Sequence, residues 1–137
     1  MRTILRVKNV TKHYGGGSVV TKALDGISLD ICEKEFVAVM GASGSGKSSL
    51  LNVIATIDRV SSGEILLDGQ NLCEMRENEL SAFRRDKLGF VFQDYNLLDT
   101  LTIGENIVLP LNLQRKSVEE TERKLHNVAA ELGIADQ

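Results

Sequence analysis

Eight residues, Gly41-Ala42-Ser43-Gly44-Ser45-Gly46-Lys47-Ser48, constrain this chain more than any other feature. They stand between the apolar run Phe36-Val37-Ala38-Val39-Met40 and a segment in which Leu50, Leu51, Ile54 and Ile57 recur at helical spacing. The pattern is G-x-x-x-x-G-K-S, read in the context it requires, a buried strand before and a helix after. Glycines let the backbone turn tightly around an anion so that successive N–H groups point inward. The first turn of the following helix adds unpaired N–H donors and the positive end of its dipole. The cradle is therefore the backbone of Gly41, Ser43, Gly44, Ser45 and Gly46. Lys47 is placed to reach the β and γ phosphates of a nucleotide. The Ser48 hydroxyl is placed to ligand Mg²⁺, and Ser49 to donate to a phosphate oxygen one residue further on. A glycine-rich turn can also join strand to helix without a ligand, and the complete motif with both flanks argues against that.

The surroundings fit an α/β chain. Apolar and polar residues alternate in Ile4 to Val10 and in Ile27 to Ile31, as in half-buried strands. The run at 36–40 does not alternate, which predicts a strand covered on both faces, the habit of parallel sheets. Glu64 to Gly69 reads as a short strand closed by the Asp68-Gly69 turn, and Leu88 to Phe92 as a further strand ending at Gln93. Leu80 and Phe83 mark a short amphipathic helix. The last helix opens on Ser117 and Glu120, an S-x-x-E capping box, shows Val118, Thr121, Leu125, Val128 and Leu132 on one face, and stops at Gly133. Strands alternating with helices predict a mainly parallel sheet. The glycines from Gly15 to Ser18 lie between two strand candidates and read as a surface loop.

With 137 residues, 42% of them apolar, one domain with a real core is expected. Sixteen basic against nineteen acidic side chains give a net charge of -3, without a basic block, so nucleic acid is not an expected partner. Cys32 and Cys73 are too few for a disulfide framework or a metal knuckle and read as small apolar fillers. No apolar run approaches the roughly 20 residues needed to cross a bilayer, and the first ten residues alternate instead of forming a signal-peptide core. The expectation is a cytoplasmic protein, unless a partner holds it at a membrane.

From Met40 to Leu72 the sequence resembles the opening of an ATP-binding subunit of an ABC transporter. From Leu88 to Leu111, "LGFVFQDYNLLDTLTIGENIVLPL", it resembles the segment in which that family carries its Q-loop. The wording is most similar to the lipoprotein-release, macrolide-export and antimicrobial-peptide-resistance type, and the resemblance runs through essentially the whole chain. It implies an α/β, P-loop NTPase-like fold: a mainly parallel sheet with an N-terminal antiparallel β element. Residues 1–93 would be the ATP-binding core and 94–137 the start of a helical subdomain. It implies Mg-ATP as ligand, transmembrane transporter subunits as partners, a nucleotide-dependent dimer in the full-length family, and a peripheral place at the inner face of the cell membrane. Tyr14 matches the aromatic that stacks on adenine, an interaction worth about 1–3 kcal/mol; a tyrosine finishing a sheet edge is the other reading. Gln93 matches the Q-loop glutamine, whose amide can touch Mg²⁺ and the attacking water. Asp94 to Leu101 would meet the membrane subunit, with Leu97 and Leu98 read either as contact residues or as core.

Hydrolysis in this family needs an apolar strand ending in Asp-Glu, a serine-glycine-glycine signature and a switch histidine. The chain has no Asp-Glu dipeptide, and after Gln93 its only glycines are Gly104 and Gly133. His13 and His126 read as solvated or packed residues, and Glu119 and Glu120 as carboxylates favouring a helix dipole. The sequence therefore predicts a chain that grips Mg-ATP without turning it over, an N-terminal fragment of an export ATPase subunit. The alternatives are a non-transport ABC protein and a degenerate, non-enzymatic remnant.

Overall fold

The computed structural model describes residues 1–17 and 19–135. They gather into two compact units, Met1–Arg84 and Arg85–Gln137.

In the first unit, β1 (Thr3–Gly16) and β2 (Val19–Cys32) form a long antiparallel hairpin. Gly15 and Gly16, expected in a surface loop, instead carry the end of β1, and Ser18 lies outside the described residues. β3 (Ser62–Leu67) pairs with the other edge of β1, and β4 (Gln70–Asn71) with β3, giving the order β2-β1-β3-β4. The β3–β4 turn is Asp68-Gly69, both with positive φ, 49° and 79°, the geometry of a tight hairpin. Alternation in β1 places Leu5 and Val7 inward. With Val10, Leu24, Ile65 and Leu72 they are buried. Helix α1 (Lys47–Ile54) contributes Leu50 and Val53 to this core, and α2 (Glu77–Lys87) contributes Leu80 and Phe83. Leu51 and Ile57, expected on the buried stripe, are about half exposed.

All strand pairs among the described residues are antiparallel. The two segments expected to supply parallel strands, 36–40 and 88–92, form no strand. Phe36, Met40 and Val91 are almost fully exposed. A buried central strand exists only when neighbours satisfy its backbone groups on both edges. No described segment pairs with either stretch, so both stay extended and unpaired.

The second unit is built on α3 (Ile103–Leu113) and α4 (Val118–Glu131). The reciprocal capping box sits at α3, where Thr102 accepts from the Glu105 N–H at 3.2 Å and the Glu105 carboxylate accepts from the Thr102 N–H at 2.8 Å. At α4 only half of the expected box forms. Ser117 caps Glu120, but the Glu120 carboxylate turns to Lys124 and Lys116 at 2.9 and 3.5 Å. The face of α4 is also rotated from expectation. Thr121 is buried, while Val118 and Leu132 are exposed. Gly133 ends the helix with φ 68°, as read from the sequence.

Candidate functional site

The 41–49 loop lies in the first unit, immediately before α1. Gly44 and Gly46 adopt left-handed φ of 77° and 90°, and Gly46 is the residue from which α1 starts. No side chain caps this helix start, and its first turn carries no acidic residue. The N–H donors there are thus neither consumed nor shielded by a carboxylate, which is what an incoming phosphate requires.

Gly46 is fixed by the sheet. The β1–β2 register steps from Lys12 opposite Leu24 to His13 opposite Lys22, leaving Ala23 as an extra residue in β2. Bulges re-aim the backbone. A Cβ on residue 46 would collide with the Ala23 carbonyl oxygen and press on a Leu24 methyl at 3.3 Å. Only glycine therefore lets the helix start seat on the bulge.

Lys47 Nζ donates to the carbonyls of Gly41 and Ala42 at 3.0 and 2.7 Å, closing the loop into a ring. Ser45 N–H donates to the Ala42 carbonyl at 3.2 Å, forming the turn inside it. Ser43, Ser45 and Ser48 are exposed and Ser49 is half-buried, at the first turn of α1 or just before it. This donor set fits a triphosphate: backbone N–H groups, one ammonium and hydroxyls. It fits Mg²⁺ as well, since that cation takes few protein ligands beside phosphate oxygens and water.

Tyr14 lies on β1 opposite Thr21, two residues along β2 from the Ala23 bulge. Two steps along a strand and one across span on the order of 10 Å, so the hairpin brings Tyr14 to the neighbourhood of the loop. The Tyr14 hydroxyl donates to Asp58 Oδ2 at 2.9 Å, and the Lys12 ammonium sits 4.8 Å from the ring centroid. Lys12 also donates to Asp58 Oδ1 at 2.6 Å and to the Arg59 carbonyl at 2.7 Å. The hydrogen bond from Lys12 holds the Asp58 carboxyl below its ordinary pKa. Partial burial opposes this, and the Tyr14 hydroxyl and Arg59 N–H add to it.

The sequence did not single out Lys12 or Asp58. Lys12 could have been found as the i−2 neighbour that shares a strand face with Tyr14. Asp58 carries no local signal; only the fold brings it to β1. Gln93 lies in the second unit, exposed, in a turn after 88–92. Leu97 and Leu98 are exposed, 67% and 47%, which separates them from ordinary core. Their loop is clamped by Asn106 of α3, also missed in the sequence. Its side-chain oxygen accepts from the Leu98 N–H at 2.9 Å, and its amide donates to the carbonyls of Leu98, Leu101 and Thr102 at 3.0 to 3.2 Å.

Known proteins match this arrangement. The family described as ABC transporter matches residues 24–137. The ABC transporter ATP-binding protein YxdL of Bacillus subtilis is 56% identical over 134 residues, covering 98% of this chain and 52% of its own. The bacitracin export ATP-binding protein BceA of Halalkalibacterium halodurans is 47% identical, covering 96% and 52%. Among solved structures, the dimeric post-hydrolysis state of the ATP-binding cassette MJ0796 of Methanocaldococcus jannaschii, bound to ADP and Pi, superposes with a TM-score of 0.85. It is 42% identical and covers 90% of this chain and 55% of that one. The chain thus spans about half the length of the curated relatives it matches, and within that span it has the P-loop NTPase-like α/β fold of the cassettes. With the phosphate cradle seated on the β2 bulge and the family match running from Leu24 onward, the chain belongs to the ABC transporter ATP-binding family.

Proposed function

We propose that this chain is the phosphate-gripping part of an ATP-driven export system, binding Mg-ATP through the 41–49 loop and Tyr14. The observation that carries the reading is the start of α1. Its donors are uncapped, no carboxylate opposes an anion, and Lys47 is held by two carbonyls that phosphate oxygens can replace. Mg²⁺ would rest on the Ser48 hydroxyl, with Gln93 as a second contact. The bound cation would neutralise charge on the phosphates. Residues 1–93 would serve as ATP-binding core and 94–137 as the start of the helical subdomain.

The export assignment leans on the names of relatives such as BceA and on the exposed pair Leu97 and Leu98, which suits contact with a membrane subunit. Among the described residues no helix is long and apolar enough to cross a membrane, so attachment would be peripheral and through partner subunits. Dimerisation around nucleotide would follow the family. Turnover by these 137 residues is expected to be negligible, because no acidic strand end, signature or switch histidine accompanies the cradle. A second reading, a remnant with weak or no nucleotide affinity, is favoured by the unpaired, exposed stretch 36–40 that leads into the loop.

Equilibrium binding of Mg-ATP to the purified chain, with Lys47→Ala as control, separates the two. Saturable binding weakened on the order of ten-fold or more by the substitution supports the cradle. Binding indifferent to Lys47 would favour the remnant. A turnover rate that disappears with Lys47→Ala would contradict the non-hydrolytic half of the proposal.

A further inference from the structure

The loop after α1, which carries Asp58, is stitched to β1 along its length. Ser61 N–H donates to the Thr11 carbonyl at 2.8 Å, and His13 N–H to the Ser61 hydroxyl at 2.9 Å. The Thr11 and Ser62 hydroxyls pair at 2.7 Å, and Lys12 reaches the Arg59 carbonyl. These contacts fix where the Asp58 carboxylate stands, and both of its oxygens are used on one strand face, one by Lys12 and one by Tyr14. Lys12, only 12% exposed, covers one face of the Tyr14 ring, while Tyr14 itself stays 39% exposed.

We propose that Asp58 is a positioning residue for the nucleotide base: with Lys12 it locks the Tyr14 ring so that the uncovered ring face is the platform on which a purine stacks. The inference rests on the nucleotide-binding reading above and adds to it the device that makes the platform rigid. A free tyrosine would lose side-chain rotational freedom on stacking, whereas a ring already held at its hydroxyl and on one face has little left to lose. The triad acts on the base alone. The phosphates are held elsewhere, by the 41–49 backbone and Lys47.

That separation supplies the test. Affinities of the full 137-residue chain for Mg-ATP and for Mg-tripolyphosphate are measured by titration calorimetry, and their ratio isolates the base. Stacking predicts a wild-type preference for ATP on the order of ten-fold. Asp58→Ala and Tyr14→Phe should each lower that ratio by about three-fold or more, with tripolyphosphate as internal reference. The double variant should fall no further than the lower single variant, because both remove one interaction. Equal weakening of both ligands by Asp58→Ala would mean a merely structural role and overturn the proposal, as would an unchanged ratio in both single variants. Should Asp58→Ala fail to fold, Tyr14→Phe decides, since it removes one oxygen from a side chain that is partly exposed. A wild-type ratio near one overturns the platform while leaving the cradle intact. Wild-type binding of neither ligand is instead the failure of the nucleotide-binding reading itself.

Discussion

Gly46 shows how a single residue can belong to two structures at once. It is the start of α1 and the surface that meets the β2 bulge, and its φ of 90° suits no side chain. Gly46→Ala is expected to cost about 2 kcal/mol or more, from left-handed strain plus the collision with the Ala23 carbonyl. A lowered urea midpoint at unchanged m-value would report it. Asp58 gives a pH-dependent counterpart. Its pKa is lower in the folded chain than the ordinary 3.8, so the folded state releases this proton more readily than the unfolded one. The stabilisation is complete above that ordinary value and drains away as the pH falls through the lower, folded value. Wild type should therefore exceed Asp58→Asn in urea midpoint at pH 7, with the gap shrinking below about pH 4; a gap that widens in acid would refute the assignment. The cradle was legible because its eight residues are contiguous and their chemistry is local. Asp58 was not, because it becomes meaningful only when a loop 44 residues beyond Tyr14 is laid against β1.

Helices and strands differ in how much of their evidence they carry with them. The stop of α4 at Gly133 and the buried pair Leu80 and Phe83 on α2 were readable, since helical hydrogen bonds and spacing are internal to the segment. Capping proved subtler. Ser117 and Glu120 satisfy the same pattern as Thr102 and Glu105, yet only the second pair is reciprocal, because Lys116 and Lys124 draw the Glu120 carboxylate away. Thr102→Ala should thus destabilise its helix by about 1 kcal/mol, and Glu105→Gln, which can keep the reciprocal bond, by less. Circular dichroism during urea titration would rank them. Asn106 offers a sharper element-scale test. Replacing it with alanine removes four hydrogen bonds to the 98–102 segment, and amide exchange at Leu98 should accelerate on the order of ten-fold or more. Unchanged exchange there would show the loop to be held by something else.

At the scale of the whole molecule, the expectation that failed is instructive. Residues 36–40 have the composition of a central strand and none of its pairing, for a strand is a relation between segments and its neighbours cannot be inferred from its own letters. The relatives matched here are about twice as long, and the fold class is recognisable in the half that this chain spans. Phe36, Met40 and Val91 at the surface are a liability of the kind that drives association. Sedimentation velocity should show the weight-average mass rising with concentration, and Phe36→Ser with Met40→Ser should suppress that rise. A strictly monomeric wild type across the same range would mean that these side chains find cover within the chain.

Helix α1 begins at Lys47 and ends at Ile54, with Asp58 a short loop later. Its eight residues amount to a rod about 12 Å long, with the anion grip at one end and the holder of the aromatic platform beyond the other. Such a rod works as a gauge. Removing one residue from it would turn everything downstream by about 100° around the helix axis and swing Asp58 off the Tyr14 hydroxyl, so the length of this helix is as much a part of the binding site as any side chain in it.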